Sequence, residues 1–313
     1  MKKLHVTWEG VHDSTGYMFS FAKSLSCAVK NSPWPDIAED IVATSGFAFR
    51  MWVSHDLCVS ATSIWEFDKQ KEWVENGGLI CEYVGRYWGQ DHIEEEKRLE
   101  AIRMIKNSID RGIPAVSWDI GLPEWGLITG YDDESQKFSV IAINENPSGL
   151  APDDPGTQMP YETLGKREVP ILSVLTVTGR SEKPQEQILR DTMKLAVTHL
   201  KGGEWCENAK GLEAYPALIR HFETFNPDAA WNLKYFLGTY GALKYYAWKY
   251  FGKMGQADLA AIYKDVYDAW QESFDIMNSR DVTLEQVRQK IASLLTSAHQ
   301  LETKAVEIMS ARI

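Results

Sequence analysis

The sequence predicts an α+β domain over residues 1–179 followed by an all-helical domain over residues 180–313. Three observations carry this. Strand-type runs bounded by turn residues recur up to Thr178 and then stop. From Ser181 onward, long segments with helix-type ends follow one another. The charge changes at the same place. Residues 181–313 hold 16 Lys+Arg against 17 Asp+Glu; the chain totals of 33 and 44 leave 17 against 27 for residues 1–180, so nearly all of the net −11 lies there. A length of 313 residues fits two domains.

In the first domain, Thr15–Lys30 reads as a helix that opens after Asp13-Ser14, residues able to cap its free amides, and Pro33 and Pro35 end it. Phe47–Val53 fits a short strand or a helical turn. Ala61–Glu75 is expected to be helical and to stop at Gly77-Gly78, and Leu79–Tyr87 to be a strand. Ile93–Arg111 carries Ile93, Leu99, Ile102, Ile105 and Ile109 as a helical stripe and ends at Gly112. Three runs then follow closely: Ile113–Trp118, Trp125–Tyr131 and Lys137–Ile143. The turn residues Gly121-Leu122-Pro123 and Asp132–Ser135 separate them, so they predict an antiparallel meander. After a Pro-, Gly- and Asp-rich loop, Asn144–Pro160, the last strand is Val169–Thr178.

In the second domain, helices are expected at Pro184–Leu200, Leu212–Thr224, Ala229–Phe251, Gln256–Asn278 and Leu284–Ala311, with no strand among them. Gly202-Gly203, Asn226-Pro227 and the glycines at 252 and 255 punctuate them. The third is strongly aromatic on several faces (Tyr235, Phe236, Tyr240, Tyr245, Tyr246, Trp248, Tyr250, Phe251). Its two readings are a helix buried between neighbours and an aromatic ligand wall.

Composition excludes several classes. At 44% hydrophobic and 25% charged the chain is ordinary globular protein. No apolar run approaches the ~20 residues that span a bilayer, and Met1–His5 lacks a signal-peptide core, so no membrane and a cytoplasmic location are expected. An acidic N-terminal part disfavours nucleic acid and would suit a cationic ligand. Cys27, Cys58, Cys81 and Cys206 are far apart, without zinc-type spacing, and read as reduced thiols. GxGxxG before a helix, a P-loop, HExxH and GxSxG are absent, and no cofactor or metal is expected. His92 with Glu94, Glu95 and Glu96 suits the favourable dipole of a helix start better than a metal. The 12 Trp are the compositional excess; eight lie in the first domain.

The stretch Gly112–Val116 ("GIPAV"), a turn, then Pro123–Asp133 ("PEWGLITGYDD") resembles the second half of papain-like folds, of the bacteriocin-processing (double-glycine) peptidase type. That resemblance implies a nucleophilic Cys opening the first helix. It also implies a His six residues before the Gly of the "GYD" turn and an Asp or Asn following the next strand. Here Thr15 takes the place of the Cys, Glu124 that of the His, and Asn144 supplies the third position. His12 or Asp13 lies near the position of an oxyanion-hole Gln. "SGFAFR" (Ser45–Arg50), "SIDRGIPAV" (Ser108–Val116) and "GLEAYPALI" (Gly211–Ile219) are similar to bacterial proteins with a butirosin biosynthesis protein H-like N-terminal domain. Their named relative is an acyltransferase that moves an aminoacyl group from a carrier protein to an aminoglycoside. The missing Cys and His disfavour cysteine-peptidase chemistry, and Cys27 lies too far along the helix to replace the Cys.

Glu124 has three readings: a solvated carboxylate or partner of Arg50, an anchor for a ligand's amine, and a general base whose pKa an apolar, Trp-flanked setting would raise. Thr15 is an N-cap or a nucleophile. Arg50, set among apolar residues, calls for a carboxylate, with Glu124 and Asp119 as candidates. Trp52, Trp88, Trp118 and Trp125 are expected in the core or a groove. The leading expectation is a catalytically degenerate papain-like protein. It would bind a small, amine-bearing metabolite in an aromatic pocket between the domains, with Glu124, Trp125, Trp118, Arg50, His12 and Tyr17 as ligand-binding residues. The rival is an acyl or amide transferase or hydrolase with Glu124 as general base and Asn144 or His12 assisting, with Glu124, Thr15 and Asn144 as the catalytic candidates and an acyl carrier protein as donor if it transfers. The third is a protein-interaction module. A hydroxyl or thiol within hydrogen-bond reach of Glu124, beside backbone amides, would favour the enzyme.

Overall fold

A computed structural model describes residues 1–63, 65–121, 123–143, 158–167, 169–204 and 207–313. In chain order its elements are β1 (Lys2–Lys3), α1 (Ser20–Lys30), α2 (Asp40–Thr44), β2 (Trp52–Val53), α3 (Gln70–Asn76), β3 (Leu79–Arg86), α4 (Glu94–Asp110), β4 (Ala115–Ser117), β5 (Gly126–Asp132), β6 (Lys137–Ile141), β7 (Gln158–Pro160) and β8 (Leu172–Arg180). Then come α5 (Gln185–Leu200), β9 (Ala209–Lys210), α6 (Ala214–Glu223), α7 (Ala230–Lys253), α8 (Ala257–Ser279) and α9 (Glu285–Ser310). The chain is thus mixed α/β, with an antiparallel sheet and a C-terminal helical region.

It forms two compact units, and neither is simply one half of the chain. The first holds Met1–Val11, Ser20–Ile41 and Glu66–Glu182; the second holds His12–Phe19, Val42–Trp65 and Lys183–Ile313. Two short stretches of the N-terminal sequence therefore fold with the C-terminal helices.

In the first unit the sheet runs β3-β8-β4-β5-β6-β7, and β1 also pairs with β5. The meander β4-β5-β6 is antiparallel throughout (Ala115↔Ile128; Tyr131↔Phe138). The last strand does not simply extend it: β8 inserts between β3 and β4, pairing with both. One sheet face carries Val84, Ala115, Ile128, Val140, Leu172 and Val174, which pack with Ala101, Ile102, Ile105 and Ile109 of α4 in one core. The alternation of a strand sends the intervening residues to the other face. Met104 also joins this core, so the α4 stripe is wider than expected, and Leu99 is exposed.

Several expectations are corrected at their ends. Residues 15–19 are not helical, and α1 begins at Ser20. The helix expected over Ala61–Glu75 is split into 3-10 turns at Val59–Thr62 and Phe67–Lys69 before α3. Trp88 is 61% exposed, so it lines no core.

In the second unit α7 packs on α8, α8 on α9, and α6 and α5 on α9. The aromatic helix is α7, and Phe236, Tyr240, Tyr246, Tyr250 and Phe251 are all buried. A strand does occur here: β9 pairs antiparallel with β2 (Trp52↔Lys210). Two residues are too few to produce a strand pattern in sequence. The pairing is held by Tyr240, whose hydroxyl accepts from Trp52 N at 2.7 Å and donates to Trp52 O. Among the described residues no helix is long and apolar enough to cross a membrane.

Candidate active site

Glu124 stands in the loop between β4 and β5, and this loop is tied down at many points. Trp118 N donates to Ser173 O (3.0 Å) and Ile120 N to Glu124 O (3.1 Å). Arg167 reaches across with both guanidinium nitrogens, to Asp119 O at 2.9 Å and Gly121 O at 3.0 Å. Asp119, 2% exposed, adopts a left-handed φ of +60°, a conformation that costs a non-glycine residue about 1–2 kcal/mol. The Arg167 bonds offset that strain and fix the path of the chain into Glu124.

The side chain of Glu124 is half-buried and meets Ser20, the first residue of α1. Ser20 Oγ donates to Glu124 Oε2, and the backbone N–H of Trp125 donates to Ser20 Oγ at 3.3 Å. Ser20 is 4% exposed. A helix start leaves its first amides without intrahelical partners, and their dipoles favour negative charge there. The pair therefore joins a hydroxyl, a carboxylate and an adjoining backbone amide at the positive end of a helix.

Trp125, next in sequence to Glu124, sits in an aromatic cluster. Trp125 meets Phe21 at 4.9 Å, Phe67 at 5.0 Å and Trp118 at 5.4 Å between centroids, each edge to face. Trp118 and Trp125 are 5% and 0% exposed, so both rings are part of the buried core.

The other expected residues lie elsewhere. His12, Thr15 and Tyr17 belong to the second unit, on a segment bound to α7. Thr15 Oγ1 donates to Gly238 O at 2.9 Å, Tyr246 donates to His12 O at 2.7 Å, and the His12 ring stacks on Tyr245 at 3.7 Å. Thr15 does not open α1. Asp13 accepts from the N–H groups of Gly16 (2.9 Å) and Met18 (3.3 Å), and Gly16 takes a φ of +76° that a side chain would resist. The capping signal Asp13-Ser14 thus builds a turn, and the helix is delayed to Ser20. Asn144 lies outside the described residues.

Arg50 belongs to the second unit and has a carboxylate partner there. Its Nε donates to Glu204 Oε2 at 2.9 Å, and its guanidinium lies over Trp52 (4.1 Å) and Trp65 (5.3 Å). His199 Nδ1 is 2.7 Å from Glu204 Oε1. Burial would raise the Glu204 pKa, but Arg50 and His199 overcome it and hold the carboxyl at about 2. This is a buried ion cluster of the second unit, and its partner residue is 154 positions from Arg50, beyond any local signal.

Burial pushes the Cys27 thiol up to about 11, and its Sγ donates to Thr7 O at 3.2 Å, so it is no thiolate nucleophile. Among the described residues no three His, Cys, Asp or Glu side chains are grouped to hold a metal ion. Glu94 is bound by Arg98 (2.9 Å) and Lys166 (3.1 Å).

Sequence reasoning missed Ser20. Its only signal is its place one residue before an apolar helical run, "FAKSLSCAV", and that becomes visible only once Gly16 is assigned to a turn. Compared with known proteins, the sequence matches no family model and no curated protein.

Proposed function

We propose that the chain is an acyl- or amide-group transferase or hydrolase of papain-like type, with Ser20 as nucleophile and Glu124 as general base. The hydrogen bond from Ser20 Oγ to Glu124 Oε2 carries this reading. Glu124 stands where the resemblance expects the catalytic His. Ser20 opens α1, the helix on which that resemblance expects the nucleophile. In the reaction, Ser20 Oγ attacks the acyl carbonyl while its proton passes to Glu124. The tetrahedral oxyanion collapses, and the leaving group departs with that proton. Water or an acceptor amine then takes the acyl group from Ser20. A carboxylate is a weaker base than imidazole, so the helix-start amides and the Trp125 N–H must carry much of the stabilisation of the oxygen charge. For a transferase, the resemblance makes an acyl carrier protein the donor.

The test is covalent capture. A fluorophosphonate probe should add one adduct, mapped by mass spectrometry to Ser20, and Glu124→Gln should slow its formation by about 10²-fold or more. No adduct at Ser20, or an equal rate in Glu124→Gln, overturns the assignment.

A second reading is supported by the half-buried, Trp-flanked carboxylate itself. Here the chain is a catalytically degenerate protein whose Glu124 holds the amine of a small metabolite. In that case an amine ligand raises the melting temperature of wild type and Ser20→Ala alike, and Glu124→Gln removes the effect.

A further inference from the structure

On the sheet face opposite α4, a chain of neutral polar groups runs through the first unit. Gln70 Nε2 donates to Ser173 Oγ (2.8 Å), Ser173 Oγ lies 2.9 Å from Tyr83 Oη, and Tyr83 Oη lies 2.7 Å from Tyr87 Oη. Tyr83 and Tyr87 project from the β3 side of the sheet over Gly85. A Cβ at Gly85 would stand 2.7 Å from both hydroxyls, so the residue between the two tyrosines must lack a side chain. Burial raises both phenols above their ordinary pKa, Tyr87 to about 12, so both stay neutral donors.

The chain satisfies Ser173 and leaves two atoms over. Gln70 is 0% exposed and its Oε1 has no hydrogen-bond partner among the described residues; Trp118 is 5% exposed and its Nε1–H has none either. Both residues are anchored on Ser173, Gln70 through the Ser173 hydroxyl and Trp118 through its backbone N–H to Ser173 O at 3.0 Å. A buried acceptor and a buried donor left unmet each cost about 1–3 kcal/mol. Native proteins rarely retain such a pair without something that meets it.

We infer that Gln70 Oε1 and Trp118 Nε1–H form an acceptor–donor pair that binds an uncharged carboxamide group of a ligand. The ligand N–H would donate to Gln70 Oε1, and its C=O would accept from Trp118 Nε1. The ligand group is neutral because every polar side chain in this set is neutral, and a buried unpaired ion would pay a large desolvation cost. The Trp118 ring touches Trp125, whose N–H donates to Ser20 Oγ. The inference therefore deepens the acyl-transfer reading for the substrate's identity: an acyl chain carrying an amide. Binding of the carboxamide itself does not depend on that reading.

The experiment separates the two. N-acetylglycinamide is titrated into Ser20→Ala, where no reaction is possible, and binding is read by ligand-observed NMR. Binding is expected, and Gln70→Met and Trp118→Phe should each weaken it about tenfold. Wild type is then offered the p-nitrophenyl esters of N-acetylglycine and of pentanoic acid, which match in chain length. The amide ester should react about tenfold or more faster in kcat/KM, and each variant should bring that ratio near one. No binding to Ser20→Ala, or binding unchanged in both variants with native melting temperatures, overturns the inference and leaves an ordered water as the occupant. Carboxamide binding without reaction of either ester overturns the acyl-transfer reading alone.

Discussion

Ser20 Oγ donates a hydrogen bond to Glu124 Oε2, joining the first residue of α1 to the loop that enters β5 across 104 positions of sequence. Replacing either group changes a charge-assisted bond in a largely buried setting. Ser20→Ala leaves the carboxylate short of a donor and should cost about 1–3 kcal/mol in urea unfolding. The chemistry of the position is tested by substitution toward a thiol. In Ser20→Cys the neighbouring Glu124 carboxylate disfavours a thiolate, so alkylation by iodoacetamide at pH 6.5 should be slow. In Ser20→Cys/Glu124→His an imidazolium favours it, and the rate at residue 20 should rise about tenfold or more. Equal rates would mean that the two side chains do not share one site in solution.

Arg167 holds the Glu124 loop through the carbonyls of Asp119 and Gly121. Its side chain is one-third exposed, so the bonds are partly screened. Arg167→Met should therefore cost only about 1–2 kcal/mol globally. The local effect is larger in kind: the Ile120 N–H, bonded to Glu124 O, should exchange with solvent deuterium faster, while amides of α4 keep their protection. Unchanged exchange at Ile120 would show that Arg167 does not hold the loop. Labelling of Ser20 should fall with it, because a carboxylate displaced by an ångström no longer takes the proton.

Glu204 makes stability depend on acid. Its carboxyl is held at about 2 against an ordinary 4.5. A depressed carboxyl stabilises the folded state fully above its unfolded pKa, because the unfolded chain takes up the proton first as pH falls. The contribution should be complete above about pH 5 and shrink down to about pH 2; the shift corresponds to about 3 kcal/mol. Comparing urea midpoints of wild type and Glu204→Gln from pH 7 to pH 3 reads this directly. The variant should be less stable at pH 7, since Arg50 then loses the Glu204 charge beside it, and the gap should close toward pH 3. A gap independent of pH would remove Glu204 from the linkage.

Most helices were legible because their ends are written locally. Gly202-Gly203, Asn226-Pro227 and the glycines at 252 and 255 bracket α5 to α8 within one to three residues. The meander was legible for the same reason, through Gly121 and Asp132–Ser135. What failed required distant partners or competing local chemistry. Asp13 has the right side chain for an N-cap, but it turns its carboxylate onto Gly16 and Met18, so the helix start moved from Thr15 to Ser20. Arg50 announced a buried partner correctly, yet Glu204 is brought to it only by the tertiary fold. Glu124 was singled out from the "GYD" spacing, whereas Ser20 could not be until the turn was known.

A fully buried charge pair lies among the helices. Lys244 of α7 donates to Glu302 of α9 at 2.9 Å, with side chains 1% and 0% exposed. Tyr215 of α6 donates to the same carboxylate at 2.8 Å and accepts from Trp270 Nε1 of α8 at 2.8 Å. One carboxylate thus links four helices through buried polar contacts. Lys244→Met alone strands a charged Glu302 in the core and should cost about 3–5 kcal/mol. Burial already weakens Lys244 as a base, so the ionised pair contributes less than the cost of breaking it suggests. Lys244→Met/Glu302→Gln removes both charges and keeps an acceptor for Tyr215. It should regain most of the loss, leaving the double variant within about 1–2 kcal/mol of wild type in urea unfolding. If instead the double variant is as unstable as the single, the pair's attraction outweighs its desolvation and holds the four helices together in its own right.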